Sequence, residues 1–284
     1  MTATITSNRE SQTGNQDDVK TYTGYVAFLD VLGFRSIINS ANSDEILKKY
    51  VSIVDKAILN EDMYGLEYVI FSDSVIVNSF NDDDESFFKM LDACATLFNK
   101  LLMIGIPVRG AIAHGRYQYS NKDHGKFVAG KPIVEAYTYE GKQDWIGIML
   151  CPSVTSKYED LKTRCSHYVA RDLIGTQGAS NAEIDRFLSL LSFYQIPFHK
   201  ENMALLDEVT HFEGYAVLPT GKSVTYANIV VALDQSRQSL EIKKMAAPGP
   251  KEQDKYRKTI YWLNSLVEEW KVTAQLLNRR TTAS

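Results

Sequence analysis

The sequence predicts an α+β fold: an antiparallel sheet with two crossover helices on one face. Three observations carry this. Two apolar runs, Tyr25–Asp30 and Tyr68–Val77, each meet an aspartate at a tight turn and read as strands. Two segments with apolar residues at helical spacing separate and follow them. A third extended segment, Val108 to Tyr117, comes after Gly105 and Pro107.

Taken in order, residues 1–20 are rich in Ser, Thr, Asn, Gln and Asp and are expected to form a mobile tail, since they bury too little to offset ordering entropy. The first strand is expected over about 24–31. Ser43, followed by Asp44 and Glu45, starts a helix continued by Ile46, Leu47, Tyr50, Val51, Val54 and Ile58. A hairpin around Asp73 follows. The acidic run Asp82–Glu85 reads as a solvated turn and helix start rather than a metal site. A helix over about 85–104 buries Phe87, Phe88, Leu91, Phe98, Leu101 and Leu102 and stops at Gly105. After the extended segment, glycine-rich loop residues run to Gly130, a short helix covers 131–140, and Trp145–Leu150 is a strand. The first six elements match a ferredoxin-like βαββαβ palm, which puts Asp30 and Asp73 on central strands at one sheet end.

Beyond residue 155 the pattern weakens. Ser180–Glu183 is a capping box before a helix carrying Ile184, Phe187, Leu188 and Leu191, ended by Pro197. Tyr215–Thr220 reads as an edge strand because Pro219 lacks the ladder donor. Residues 247–251 are a linker to a final helix over about 252–278. Its stripe of Tyr256, Ile260, Leu263, Val267, Trp270 and Leu277 must bury against the core or a second subunit. The division expected is a tail (1–20), a catalytic region (21–155) and an α/β extension ending in the long helix (156–284).

Composition narrows the classes. The chain has 284 residues, 44% of them apolar, which suits a globular protein with a real core. A net charge of −4 gives no general pull toward nucleic acid or anionic lipid. Cys94, Cys151 and Cys165 show no CxxC spacing, which fits a reducing compartment. No run reaches membrane-spanning length, so a cytoplasmic protein is expected. His114, His124 and Cys151 fit no zinc pattern.

Asp30 ends an apolar strand, where a charge is costly unless something pairs with it. Asp73 repeats the arrangement in Phe71-Ser72-Asp73-Ser74. Two facing carboxylates with no basic residue beside them suit hard divalent cations. Taken singly, each also reads as structural, Asp30 as a helix N-cap and Asp73 as a turn residue.

Phe28-Leu-Asp30-Val-Leu-Gly33-Phe34, Phe71-Ser72-Asp73-Ser74 and Val108-Arg109-Gly-Ala-Ile-Ala-His-Gly115 together resemble the three ordered signatures of class III nucleotide cyclases. They are most similar to the bacterial pyrimidine cyclases of the Pycsar anti-phage systems, over about residues 22–155. The resemblance implies that Asp30 and Asp73 hold two Mg²⁺ or Mn²⁺ ions, with the Val31 carbonyl as a further ligand. It implies that the Leu32-Gly33-Phe34 loop cradles phosphate and that Arg109 stabilises transition-state charge, its alternative role being a strand residue paired with an acid. It also implies a homodimer, with metals from one chain and base or arginine contacts from the other, and a product that acts on a separate effector. The purine-reading positions are occupied by Val69 and Phe127, and the catalytic Asn and Arg of purine enzymes align with Val134 and Thr138. Tyr50 is a candidate for the base lining, with helix packing as its alternative. The expected activity is cyclisation of UTP or CTP. A purine cyclase or an inert nucleotide-binding or dimerisation module remains the alternative.

Overall fold

The computed structural model describes residues 19–59, 65–122, 125–158, 161, 190–199, 209–221 and 228–281, with side chains as far as residue 271. The capping box at Ser180–Glu183, its helix as far as Leu188, His124, Cys165 and the Leu277 side chain lie outside these.

The first half is the expected palm. Strand β1 (Lys20–Val31) leads through a one-turn helix α1 (Phe34–Ile38) to α2 (Ser43–Ile58), then to the hairpin β2 (Leu66–Phe71) and β3 (Ser74–Ser79). Helix α3 (Asp84–Met103) returns the chain to β4 (Val108–Lys122). The sheet order is β2-β3-β1-β4, with antiparallel neighbours throughout. Asp83 caps α3 by accepting from the Ser86 N–H at 2.7 Å, so the acidic run is a helix start.

Strand alternation gives the sheet two different faces. Tyr25, Ala27, Leu29 and Val31 point into the main core with Val54, Phe87, Leu91 and Phe98 of the crossover helices. Tyr22, Val26, Phe28 and Asp30 point the other way. On that second face, Tyr22, Val26, Phe80, Tyr117, Tyr119, Val128 and Ile133 form a separate aromatic cluster. Fully burying such side chains contributes about 1.5–3 kcal/mol each.

The sheet then continues past the palm. The glycine-rich stretch is strand β5 (Gly125–Gly130), paired with the outer half of β4, not a loop. Gly130 is needed there because a Cβ would sit 2.6 Å from the Tyr117 backbone. Helix α4 (Lys131–Lys142) covers part of the second face, and β6 (Ile148–Leu150) joins β4 in parallel. The strand expected from Trp145 is shorter because Gln143, Trp145 and Ile146 are held by other bonds. After a short α5 (Pro152–Thr155), β7 (Leu191–His199) and β8 (Val209–Val217) extend the order to β4-β6-β8-β7.

Two expectations need correction here. Leu191 to Pro197 is strand, not the end of a helix; β7 lies at the end of the sheet order, where a missing proline donor is tolerated. Conversely, β8 is an inner strand, and Pro219 lies beyond its end.

Helices α6 (Ile229–Ala246) and α7 (Pro250–Thr281) close the fold as a hairpin across the short linker. Ile260, Leu263, Val267 and Trp270 of the α7 stripe are buried in the chain's own core, so core packing takes that stripe. Trp262 meets Trp145 edge-on at 4.9 Å, with Tyr194 of β7 5.6 Å from each. No helix among the described residues is long and apolar enough to cross a membrane.

Candidate active site

Asp30 is the penultimate residue of β1, opposite Ser74 of β3 and Arg109 of β4 in the ladder registers. Asp73 sits in the β2–β3 turn, one residue before Ser74. The Val31 N–H donates to the Asp73 carbonyl at 2.9 Å, which locks turn and strand end together. The turn itself is strained. Ser72 has φ of 57°, a conformation that a two-residue hairpin needs and glycine usually supplies.

Neither aspartate carboxylate has a hydrogen-bond or ion-pair partner among the described residues. Burial raises the Asp30 carboxyl above its ordinary pKa; the Arg109 charge pulls it back, the Asp73 charge pushes it up again, and Lys255 pulls it down. Asp30 is therefore short of positive charge even with two basic residues in range. Among the described residues no cluster of three or more His, Cys, Asp or Glu gathers, so the candidate centre is this pair with nearby backbone.

Arg109 does not turn to Asp30. Its Nε and Nη2 both lie 2.5 Å from Glu140 Oε1 on α4, and Nη1 donates to the Gln143 carbonyl at 2.9 Å. This is a buried pair rather than a surface one, with side chains 14% and 5% exposed. Burial raises the Glu140 carboxyl, which Arg109 opposes and Asp30 reinforces. Arg109 stands beside the Asp30 of its own chain, where its charge acts on that carboxyl.

Tyr50 of α2 comes up beneath the pair from the core side. It is 2% exposed, its ring meets Phe34 edge-on at 6.4 Å, and its hydroxyl has no partner. Burial, followed by the Asp73 and Asp30 charges, pushes that hydroxyl far above the tyrosine range. A buried hydroxyl left unbonded costs about 1–3 kcal/mol.

The loop between β1 and α1 offers less backbone than expected. The Leu32 N–H already donates to the Pro107 carbonyl at 3.0 Å, which leaves Gly33 and Phe34. Gly33 takes φ of 76°, and nothing lies within 4 Å of where its Cβ would be, so the loop faces open space.

Val69 and Phe127 are not brought together. Val69 shares the Asp30 face, two residues from Glu67. Lys126 of β5 crosses that face and pairs with Glu67 Oε2 at 2.7 Å, while Val128 enters the aromatic cluster. Phe127 alternates to the opposite side of β5 and is half exposed. On α4, Val134 is exposed and the Thr138 hydroxyl donates to the Val134 carbonyl at 2.7 Å, so neither offers the site a charge. Sequence reasoning missed Glu140 and Lys255; both are charged residues on helices and act on groups remote in sequence.

No protein-family model matches the chain, and no curated protein matches it. Among solved structures it is similar to the guanylyl cyclase domain of a RhoGC fusion protein from the aquatic fungus Blastocladiella emersonii (15% identity, TM-score 0.40, 50% of this chain and 86% of that one). A guanylate cyclase domain from Catenaria anguillulae, determined with GTP, is similar at 14% identity and TM-score 0.38, over 72% of this chain and 100% of that one. A class III adenylyl cyclase-like ATP-binding protein from Pseudomonas aeruginosa matches at 12% identity and TM-score 0.38, over 84% of this chain and 44% of that one. Likeness at this level assigns no residue and no activity to the chain.

Proposed function

We propose that the protein is a metal-dependent nucleotide cyclase that converts UTP or CTP to the 3′,5′-cyclic monophosphate and pyrophosphate. The observation that supports it most is the unpartnered Asp30–Asp73 pair at one sheet end, with the resembling motifs on the elements that build it. These residues fit a pair of hard cations: both are acceptor-only carboxylates, and the Arg109 and Lys255 charges leave the Asp30 carboxyl raised above its ordinary pKa. Asp30, Asp73 and the Val31 carbonyl would hold Mg²⁺ or Mn²⁺, which would acidify the ribose 3′-hydroxyl and neutralise phosphate charge.

The chain's own groups do the rest. The Gly33 and Phe34 N–H groups, in the open loop between β1 and α1, would hold phosphate oxygens. The orphaned Tyr50 hydroxyl would take a partner from the bound ligand. Arg109, already balanced by Glu140, would set the charge around Asp30 and hold α4 against β4 rather than bind substrate with a free fork. Pyrimidine choice is supported by Val69, which offers a base no polar group, and by Glu67, which is committed to Lys126. Phe71, Val134 and Tyr137 are exposed apolar groups on the Asp30 side, and a second copy covering them would make the homodimer. The product would be a messenger for a separate effector in anti-phage defence, as in the systems the motifs resemble.

The test is incubation with each of the four labelled NTPs and Mn²⁺. Cyclic UMP or cyclic CMP as the main product supports the reading. Conversion of ATP or GTP with pyrimidines untouched would move it to a purine cyclase, and Mn²⁺-dependent binding without turnover would make it an inert nucleotide-binding module.

A further inference from the structure

The C-terminal extension reaches the Asp30 face through one short segment. Gln143 holds it to β4: its carbonyl accepts from Arg109 at 2.9 Å, and its Nε2 donates to the Gly110 carbonyl at 2.8 Å. Helix α7 clamps the same segment from outside. The Thr259 hydroxyl accepts from the Ile146 N–H at 2.9 Å and donates to the Ile146 carbonyl at 2.8 Å, while the Lys258 ammonium pairs with Asp144. The first turns of α7 are thereby fixed beside the end of β4 that carries Arg109.

Lys255 lies one helical turn before Thr259, on the same stripe, and its carbonyl is 3.1 Å from Thr259 Oγ1. Its surroundings are charged, and the other close pairs are already made. Arg109 is taken by Glu140. Lys258 is taken by Asp144 and Asp254, and His199 Nε2 faces Asp144 Oδ1 at 3.1 Å. Lys255 is half-buried and has no hydrogen-bond or ion-pair partner among the described residues. Burial, followed by the Arg109 charge, pushes its ammonium below the ordinary lysine range, and its field reaches Asp30 and Glu140. Asp144 and Glu252 act on it only as unbonded charges, so the half-buried cation is incompletely compensated, and a polyanion bound beside it would relieve that cost.

We propose that Lys255 is a substrate-contacting residue whose ammonium α7 supplies to the polyphosphate of the nucleoside triphosphate bound at Asp30 and Asp73 of the same chain. This rests on the cyclase reading. It gives the extension a chemical part and places a cation at a site where positions 134 and 138 of α4 are Val and Thr and offer none. Lysine suits that task, because its rotatable donors follow a phosphate chain without demanding the planar fork geometry of arginine.

The experiment is equilibrium binding in Mn²⁺ of the four NTPs, the matching monophosphates and inorganic pyrophosphate. The proteins are the full wild-type chain, Lys255→Gln, Lys255→Arg and, as control, Lys251→Gln, an exposed lysine one turn earlier. Lys255→Gln is expected to weaken triphosphate and pyrophosphate binding about tenfold or more, as for a lost charged hydrogen bond. Monophosphate binding should not move, and Lys255→Arg should recover most of the loss. Lys251→Gln should stay within about twofold, as exposed substitutions do. Unchanged triphosphate and pyrophosphate affinity in Lys255→Gln, or a loss the monophosphates share equally, overturns this inference while normal wild-type binding leaves the cyclase reading standing. A wild-type chain that binds no triphosphate with Mn²⁺ overturns both.

Discussion

Replacing Glu140 by Gln should damage stability and metal binding by separate routes. The change leaves the Arg109 guanidinium buried without its counter-charge. Breaking one side of a buried pair costs about 3–5 kcal/mol. Arg109 keeps its bond to the Gln143 carbonyl and has Asp30 directly opposite, so a loss of about 2–3 kcal/mol is expected. For a chain of this size that lowers Tm by about 4–12 °C. The second effect is the sharper one. Facing residues in an antiparallel ladder have Cβ atoms about 4.5–5.5 Å apart, so the freed guanidinium can turn to Asp30. A cation must then displace a charged hydrogen bond, and Mn²⁺ affinity should fall about tenfold or more. Adding Arg109→Met to Glu140→Gln removes the competitor and should restore Mn²⁺ affinity toward wild type. Calorimetric Mn²⁺ titration of the three proteins, with thermal unfolding alongside, reads both effects. A Glu140→Gln protein that melts low but binds Mn²⁺ like wild type, or a double variant that gains nothing, would refute the argument that Glu140 keeps Arg109 off Asp30.

Other expectations follow from the same geometry. Asp30→Asn or Asp73→Asn should abolish product formation with the circular dichroism spectrum unchanged; turnover near wild type in either would remove the two-metal assignment. Tyr50→Phe deletes an unbonded hydroxyl, so the metal-free protein should be as stable as wild type or more stable by about 1 kcal/mol; nucleotide binding should weaken in the same variant, and unaltered binding would take Tyr50 out of the site. His114 supplies a pH signature. Burial, then the Lys157 charge, lowers its pKa against the pull of Asp82. The unfolded chain therefore binds the proton more readily, and this contribution is full above the ordinary value of 6.5 and lost as pH falls through the lowered one. His114→Gln should lose less Tm than wild type between about pH 7 and about pH 5; parallel Tm curves would show that His114 contributes nothing.

The palm was legible because its signals are local. An apolar run ending at Asp30 set β1, an aspartate turn set β2 and β3, and helical periodicity set α2 and α3. Strand β5 was hidden because glycines at 125 and 130 mimic a loop, whereas Gly130 is there for close approach to Tyr117. Pro197 hid β7, since a proline argues against a strand until the strand is known to lie at the sheet's end. Helix α6 buries Ala232 and Ser236 beside Ile229, Leu233 and Leu240, so its buried face carries no clean apolar stripe. At the site, the aspartates were legible as strand-end charges. Glu140 and Lys255 were not: Glu140 acts on a residue 31 positions earlier, and Lys255 stands beside a strand end far upstream.

The parallel strand β6 has a consequence for synthesis of the protein. When residues 148–150 leave the ribosome, their inner edge can join β4 at once, but their outer edge has no partner until β8 has been made. At about 5–20 residues per second the nascent chain carries that open hydrogen-bonding edge for several seconds. During that interval it is a template for a neighbouring chain. Yield on expression should therefore depend on translation speed through residues 151–217, and slowing codons placed there should increase aggregation, whereas the same codons placed after β8 should not.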